Sequence, residues 1–461
     1  MRIVVLSPPF FSHFFPLATL ASALRDAGAE TYLGCSEAFE SEVRLRGLQF
    51  CEININRNAN TGQASSTQQA ERERKRLQEF LDATKRGPIE TLRAQNRHRL
   101  ADMLANPEEL LERIQELDAS LRPDLWVVDQ LSYGATLALI AHGLRFVTFC
   151  PPHPLSIPPS EVLYSVPPRW PSVFSVEREQ IAVLEKEALT LEQDFTDRFN
   201  GLLEPFGRRV ESAFRSASPE LILHNYPELP EYRELNSSGR EHGSARRQAR
   251  RLYCGYSFSP GSPEAPEEPR SSEAFEASET NGVWGETARG HADSPRRIVV
   301  ALGTFLAARD DVLTALATGL RTLFPDATLA IGAGEHAERL RGQVPPPAIV
   351  DSFIPQRELL QEAELFVHHG GVSSLTEGLY YRVPTIVMPF SSDQFNVAAD
   401  LERHGFGAVL NPNHITEAGL KEAVEGARSK SALSALAVLS RQVRGRGPAY
   451  AADAILELLK R

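Results

Sequence analysis

Apolar runs and amphipathic segments alternate at two places in the first 150 residues. A β-branched, apolar run over residues 2–6 ends near two prolines, and apolar residues then recur over 17–24 at the spacing of one helix face. The same order returns as an apolar run over 125–128, a small-residue segment over about 134–142 and another apolar run over 146–149. This alternation predicts an α/β domain with a parallel sheet.

The alternation resumes after Pro295. Five short apolar runs predict strands, and segments with helical spacing separate them. The predicted strands cover residues 297–302, 328–331, 348–350, 365–368 and 385–388. Two doubly wound α/β domains are therefore expected.

Three segments do not fit the alternation. Residues 65–120 are rich in Glu, Arg, Gln and Leu, which predicts surface helices. Residues 151–172 contain eight prolines, so they predict an irregular loop, which either packs on its own domain or forms the apolar wall of a pocket. Residues 231–295 are rich in Ser, Pro, Glu, Gly and Arg, which predicts an interdomain linker that is partly disordered.

These segments set the expected domain boundaries. An N-terminal domain covers residues 1–230, the linker covers 231–295, and a C-terminal domain covers 296–445. The last segment, 446–461, is expected to form a helix that packs back on the N-terminal domain.

Composition and charge exclude several classes of protein. The 461 residues carry a net charge of −11, the wrong sign for a protein that wraps nucleic acid. The four cysteines are too far apart for a zinc pair or a CxxC pair, which favours a reducing, cytoplasmic compartment. Prolines interrupt the signal-like N-terminus, and no apolar segment reaches the roughly 18 residues of a membrane span. Peripheral membrane contact and oligomeric state are left open.

The strongest chemical signal is the run His368-His369-Gly370-Gly371-Val372-Ser373-Ser374, which follows a predicted strand and opens a helix. Glycines allow close approach of the backbone to a ligand, and the free N–H groups of a helix start favour an anion. Ser374 and Glu377 also match a capping box, which would be a purely structural explanation of both residues. The two histidines and two glycines favour a phosphate site.

A second glycine-rich motif competes with the first. Residues 332–337 follow the pattern G-x-G-x-x-A after a predicted strand, and Asp351 comes later, as in dinucleotide-binding proteins. Three prolines at 345–347 would end the intervening helix early. A nicotinamide or flavin enzyme is therefore disfavoured, and no resident cofactor is expected.

Residues 353–396 resemble the nucleotide-sugar signature of family 1 glycosyltransferases. The resemblance rests on Phe353-Ile354-Pro355-Gln356, on the run from His369 to Glu377, on Val383-Pro384 and on Asp393-Gln394-Phe395-Asn396. This family includes plant secondary-metabolite glucosyltransferases and bacterial macrolide and antibiotic glycosyltransferases. The resemblance implies a GT-B architecture, in which two Rossmann-like domains face each other across a cleft, with the acceptor bound by the first and the nucleotide sugar by the second.

The resemblance assigns the diphosphate to the start of the predicted helix. His369, Ser374 and the amides near Gly371 would contact the phosphates, and the loop Gly303-Thr304 would also reach them. Ser373 belongs to the same phosphate loop, where relatives carry Gly or Asn.

The resemblance assigns the rest of the donor to residues on either side. Glu377 would bind the ribose hydroxyls, and Asp393 with Gln394 would bind the sugar. Phe353 stands where many relatives have a base-stacking Trp, and Gln356 closes the same motif.

His13 and Asp129 are the expected catalytic pair. Glycosyl transfer needs a base that accepts the proton of the acceptor hydroxyl, and histidine is suited to this near neutral pH. His13 is expected in a loop beyond the end of the first strand, and Asp129, at the end of another strand, would fix its tautomer. His142 and His153 are weaker candidates for the base and are expected to be structural.

The acceptor and the leaving group complete the expected mechanism. Phe10, Phe14, Pro152 and Leu155 suggest a lipophilic acceptor, although packing in the core explains some of the aromatic residues equally well. The chain contains no D-x-D motif, so metal-independent transfer is expected, with a helix start, Ser374 and His369 facing the leaving diphosphate. Direct attack by one acceptor would invert the anomeric carbon.

The favoured function is transfer of a hexose from UDP-glucose to a hydroxyl of a small lipophilic molecule. The first alternative is a dTDP-deoxysugar transferase of antibiotic biosynthesis. The second is a nucleotide-sugar epimerase of the same fold, which would need no acceptor pocket. The apolar, proline-rich loop at 151–172 argues against it, and release of free nucleotide only in the presence of an acceptor would exclude it. A binding module without activity is disfavoured because both His13 and Asp129 are present.

Overall fold

The computed structural model describes residues 1–56, 71–237, 249–259, 296–303 and 306–460. Within these ranges the chain forms two parallel sheets, one in each domain. The predicted pair of Rossmann-like domains is confirmed.

The sheet of the N-terminal domain has seven described strands in the order β3-β2-β1-β4-β5-β6-β7. The strands are β1 Arg2–Leu6, β2 Glu30–Cys35, β3 Gln49–Glu52, β4 Leu125–Asp129, β5 Phe146–Cys150, β6 Leu221–His224 and β7 Arg250–Tyr253. The helices of this domain are α1 Phe11–Asp26, α2 Glu40–Leu45, α3 Glu71–Arg86, α4 Pro88–Met103, α5 Pro107–Leu121, α6 Tyr133–His142, α7 Arg178–Leu203 and α8 Pro230–Ser237.

The sheet of the C-terminal domain has six described strands in the order β10-β9-β8-β11-β12-β13. The strands are β8 Arg297–Ala301, β9 Thr328–Gly332, β10 Ala348–Asp351, β11 Ala363–His368, β12 Thr385–Val387 and β13 Ala408–Val409. The helices that follow β8 are α9 Asp310–Leu323, α10 Ala337–Arg341, α11 Gln356–Leu360, α12 Val372–Tyr381, α13 Gln394–His404, α14 Glu417–Ala427, α15 Lys430–Arg444 and α16 Pro448–Lys460.

Each sheet is buried on both faces, which explains why its central strands are continuous apolar runs. Every residue of β4, β5 and β8 is buried. Strands covered by helices on both faces need apolar side chains in both directions, so they do not alternate. Edge strands such as β3 and β13 are short or partly polar, and the sequence pattern did not predict them.

The strand order places one crevice in each domain. In the first sheet the connections change direction between β1 and β4, and in the second between β8 and β11. Ligands of open parallel sheets bind at the carboxyl ends of the strands at this point. Asp129 ends β4 and His368 ends β11, so the predicted chemistry lies at both crevices.

The predicted linker over 231–295 must be corrected in part. Residues 250–253 form β7, which pairs with β6 and completes the first sheet, and Tyr253, Tyr256 and Phe258 are buried. The sequence pattern did not predict this strand because it has only four residues, two of which are arginines that resemble the polar residues around it. Residues 238–248 and 260–295 lie outside the described part of the chain.

The last helix crosses from one domain to the other. Helix α15 packs on α12 of the C-terminal domain, whereas α16 packs on α1 of the N-terminal domain. Ala451, Ala452 and Ile455 of α16 are buried in the same apolar core as α1 and β1. The chain turns between the two helices at Gly447, whose N–H donates to the Cys254 carbonyl and whose φ is +97°.

The proline-rich segment packs across the domain boundary. Trp170 and Phe174 contact Phe395 of α13, with ring centroids 5.7 and 5.6 Å apart. Residues of α4 and α7 join the same cluster, among them Leu92 and Leu184. The segment therefore forms part of the interface with the C-terminal domain, which neither alternative from the sequence had described.

Candidate active site

His13 and Asp129 form a hydrogen-bonded pair in the crevice of the N-terminal domain. His13 Nδ1 lies 2.9 Å from Asp129 Oδ2, and the other oxygen, Oδ1, accepts from the Leu131 N–H at 2.7 Å. Asp129 is fully buried, and the His13 side chain is 14% exposed. Because a carboxylate only accepts, Nδ1 carries the proton and Nε2 is the nitrogen that can receive one.

The local position of His13 corrects the prediction of a loop. The turn after β1 is short, and α1 begins at Phe11, so His13 lies in the first helical turn with its N–H bonded to the Phe10 carbonyl at 2.9 Å. A helix gives the ring a fixed direction toward Asp129, which a long loop would not.

The charge of the pair is set by two opposing effects. Burial lowers the pKa of His13, but the charge of Asp129, the hydrogen bond to it and the charge of Asp393 outweigh burial, so the pKa is raised above its usual value. The pair therefore favours the imidazolium form, which is the product of proton abstraction.

The second half of the site is the junction of β11 and α12. Gly370 has φ +93°, and Gly371 is the N-cap of α12 with no side chain to cap the helix. The His369 ring is packed between two glycines. A Cβ at Gly371 would lie 2.6 Å from His369 Nε2, and one at Gly303 would lie 3.0 Å from the ring. A side chain at either position would push the His369 ring out of place, and the backbone of Gly303, with φ +76°, also favours glycine.

The lowered pKa of His369 favours its neutral form, and one of its ring nitrogens has no hydrogen-bond partner among the described residues. Burial lowers the pKa of His369, against smaller raising effects from the Ala301 backbone and Asp393. Its Nδ1 is buried and has no hydrogen-bond partner among the described residues. A ligand oxygen could supply that partner, since buried polar atoms are rarely left unpaired. The neighbouring His368 differs in that its Nδ1 accepts from the Gly370 N–H at 3.0 Å, whereas its Nε2 is buried without a partner among the described residues.

The capping-box explanation of Ser374 and Glu377 is wrong. Ser374 lies inside α12, because the N-cap is Gly371. Gln356 connects the two side chains: its amide donates to the Glu377 carboxylate and lies 3.4 Å from Ser374 Oγ. Burial raises the pKa of Glu377, and Arg357 and Gln356 lower it less. The structure thus brings together three of the predicted donor residues.

Two further predicted donor residues, Phe353 and Ser373, are at least partly exposed. Phe353 is 54% exposed, unusual for a large apolar side chain, and is open to stacking. Ser373 is half-buried in the first turn of α12. Thr304 lies outside the described residues.

Asp393 and Gln394 have different surroundings, although they are adjacent. Asp393 Oδ2 accepts from the backbone N–H of His153, in the proline-rich segment, at 3.0 Å. Gln394 Oε1 accepts from the N–H groups of Phe390 and Ser391, so it closes its own loop. The charge of Asp393 adds to the rise in the pKa of His13, and it opposes in part the lowering of the pKa of His369 by burial.

The structure contradicts the prediction for one of the four acceptor residues, and the other three are partly accessible to a ligand. Phe14 is fully buried in the core and packs on Phe39 at 4.5 Å between ring centroids, because it follows His13 in α1 and so points about 100° away from it around the helix. Phe10 is half-buried, and its ring meets the His13 ring edge-on at 6.2 Å. Pro152 and Leu155 are half-buried on either side of His153.

His142 and His153 make structural contacts. His142 Nε2 bonds to the Leu111 carbonyl at 3.0 Å. His153 is fully buried, and its Nε2 lies 2.9 Å from Asp400 Oδ2 of the C-terminal domain. The sequence did not indicate a role for Asp400, since its partner His153 lies 247 positions away and no local motif predicts the pair.

The competing glycine motif does not form a dinucleotide site. After β9 the chain makes a single 3-10 turn, and the helix that follows, α10, has only five residues. The Asp351 carboxylate bonds to the N–H of Ser352, next to it in the chain. This motif lacks the long helix whose start would face a pyrophosphate.

Comparison with solved structures defines the fold as GT-B. The glycotransferase of kitacinnamycin superimposes with a TM-score of 0.67 at 20% identity and covers 99% of both chains. The glycosyltransferase VinC, solved in complex with dTDP, superimposes with a TM-score of 0.62 at 16% identity over the whole of both chains.

Sequence comparison identifies the C-terminal domain more closely. Residues 324–446 match the model of the erythromycin biosynthesis protein CIII-like C-terminal domain. An uncharacterized UDP-glucosyltransferase, YojK of Bacillus subtilis, is 35% identical over 29% of this chain and 34% of its own length. Demethyllactenocin mycarosyltransferase of Streptomyces fradiae is 30% identical over 35% of each chain. The resemblance to family 1 glycosyltransferases is thereby confirmed, and the matched segments span about a third of these relatives.

In the described part of the chain, no helix combines the length and the apolar character that a membrane crossing requires.

Replacing Asp129 by Asn should reverse the pKa shift of His13. The variant loses the charge that raises the pKa but keeps the burial that lowers it, so the pKa should fall from above about 6.5 to below it. NMR titration of the histidine rings measures the shift, with His13→Gln assigning the signal. Asp124→Asn is the matched control, because Asp124 is exposed and bonds to the Arg2 N–H. An unchanged His13 titration in Asp129→Asn would refute this account of the pair.

Proposed function

We propose that this chain transfers a hexose from a nucleotide sugar to a hydroxyl of a lipophilic small molecule. One observation carries the proposal. A hydrogen-bonded His–Asp pair lies in the crevice of one domain, and an uncapped, glycine-flanked helix start lies in the crevice of the other. The loop that carries Asp393 joins the two domains through the hydrogen bond from the His153 N–H. A base for the acceptor and an anion site for the leaving group are the two elements that glycosyl transfer needs.

The chemistry follows from these positions. His13 Nε2 takes the proton of the acceptor hydroxyl as its oxygen bonds to the anomeric carbon, while the bond from that carbon to the diphosphate oxygen breaks. Asp129 stabilises the imidazolium that forms. The start of α12, with Ser374 and His369, stabilises the charge that develops on the diphosphate. Transfer is proposed to be independent of metal and to invert the anomeric carbon, since a single displacement occurs.

The donor is proposed to be UDP-glucose. Glu377, oriented by Gln356, would accept hydrogen bonds from the ribose hydroxyls, and the exposed Phe353 would stack on the base. Asp393 and Gln394 would contact the sugar, with the amide nitrogen of Gln394 available because its oxygen is engaged. The similarity to a protein named as a UDP-glucosyltransferase supports this choice.

A dTDP-deoxysugar is the second candidate donor. VinC and the spinosyn rhamnosyltransferase SpnG, which share the fold, were solved with dTDP or thymidine diphosphate. Stacking on Phe353 tolerates either pyrimidine, because every base has a π-face.

The acceptor is proposed to be lipophilic. Phe10, Pro152 and Leu155 are half-buried apolar residues, and the ring of Phe10 meets the imidazole of His13 directly. The four cysteines are free and buried, which supports a cytoplasmic location.

His13→Ala should abolish transfer without loss of donor binding. General-base catalysis contributes about 10²–10⁴-fold, so kcat should fall by that factor, whereas nucleotide-sugar affinity measured by calorimetry should stay near wild type. Undiminished turnover in this variant would exclude His13 as the base.

Glu377→Ala should produce the opposite pattern. A hydrogen bond to a charged group is worth about 1.5–3 kcal/mol, so affinity for UDP should fall by about 10–100-fold. Calorimetric titration of UDP measures the loss, and Glu338→Ala, on the exposed helix α10, is the matched control. Wild-type affinity in Glu377→Ala would mean that the carboxylate only orients Gln356.

A further inference from the structure

We infer that the helical hairpin α3–α4 of the N-terminal domain completes the donor site of the C-terminal domain, with Gln95 as a positioning residue for the loop that carries Asp393. The inference rests on the proposed function, because it concerns how the sugar part of the donor is held.

Gln95 makes a two-point contact with the loop. Its Nε2 donates to Ser392 Oγ at 2.8 Å, and its Oε1 accepts from the Ser392 N–H at 3.1 Å. The two residues are 297 positions apart and belong to different domains. Because one side chain bonds to both the backbone and the hydroxyl of Ser392, the contact fixes the conformation of that residue as well as its location.

Ser392 needs such support. It has φ +50°, in the left-handed region that a residue with a Cβ rarely adopts. A conformation of this kind persists only where surrounding contacts determine it. Gln95 supplies two of those contacts from outside the loop.

The next residue of the loop is also held by the N-terminal domain. Asp393 accepts from the His153 N–H, and His153 is fixed by Asp400. The Asp400 carboxylate also accepts from Tyr226 and Tyr232 at 3.0 and 2.6 Å. Burial and the Asp400 charge raise the pKa of both tyrosines, which remain hydrogen-bond donors. Contacts from the first domain therefore hold two consecutive residues of the loop.

The hairpin is anchored independently of Gln95. In the last turn of α3, the Thr84 hydroxyl accepts from Arg309, and the Thr84 carbonyl accepts from Asn413, at 3.1 and 2.7 Å. Ile89 and Leu92 of α4 are buried in the same cluster as Phe395. The backbone of α4 therefore stays in place when the Gln95 side chain is changed.

This arrangement separates two parts of donor binding. The proposed nucleotide and phosphate contacts, among them His369, Ser374 and Glu377, all belong to the C-terminal domain. The proposed sugar contact, Asp393, sits on a loop whose shape depends on the N-terminal domain. Loss of the Gln95 contact should weaken binding of a nucleotide sugar and spare binding of the nucleoside diphosphate.

Calorimetry of Gln95→Leu with UDP-glucose and with UDP tests the inference. Two hydrogen bonds of about 1 kcal/mol each are lost, so the Kd for UDP-glucose should rise by roughly tenfold or more, while the Kd for UDP stays within about twofold of wild type. Hydrogen exchange at the Ser392 amide should accelerate in the same variant. Ser392→Ala, which loses one of the two bonds, should give a smaller change of the same kind. The matched control is Gln78→Ala, since Gln78 lies on α3 and bonds within its own helix to Asp82.

The outcomes separate the inference from the proposed function. Equal losses for UDP and UDP-glucose, or no loss for either, in a Gln95→Leu protein that unfolds at the wild-type temperature would overturn the positioning role. A wild-type protein that binds neither UDP, dTDP nor their glucose conjugates would overturn the proposed function, and the inference with it.

Discussion

The carboxylate of Asp393 is the central contact between the two domains. It accepts a hydrogen bond from the N-terminal domain through His153, and its charge acts on a histidine in each crevice. A buried or half-buried carboxylate needs partners of this kind, because an unpaired charge away from water is costly. The N–H of His153, in the N-terminal domain, supplies such a partner and so ties the loop that carries Asp393 to the other domain.

The polar interface around Asp393 also fixes the relation of the two sheets. His153, Tyr226 and Tyr232 surround Asp400 and are all buried, so separation of the domains would leave donors and an acceptor without their partners. Breaking such a network costs more than one isolated bond.

Much of the site could be predicted from local sequence. The run from His368 to Glu377 specifies a strand end, a left-handed glycine and a helix start, and each is determined by neighbours within a few residues. The pairing of His13 with Asp129 could be inferred because both follow strands that a parallel sheet brings together at one edge. Phe14 was misassigned because adjacent aromatic residues on a helix point in different directions, and helix α1 was not expected to start before His13.

The remaining features depend on contacts that no local pattern encodes. Strand β7 is recognised only by its pairing with β6, and Gln95 is an ordinary polar residue of a surface helix until Ser392 is placed beside it. The packing of the proline-rich segment on Phe395 likewise depends on how the two domains meet.

The proposed reaction is a direct displacement by an acceptor hydroxyl that His13 deprotonates. The anomeric configuration of the product tests this displacement. The protein would be incubated with UDP-α-glucose or dTDP-α-glucose and a panel of polyketide, flavonoid and carotenoid acceptors, and any glycoside analysed by mass spectrometry and proton NMR. Direct displacement should give a β-glycoside, and nucleoside diphosphate should be released only when an acceptor is present. An α-glycoside, or release of the diphosphate that does not depend on an acceptor, would contradict it.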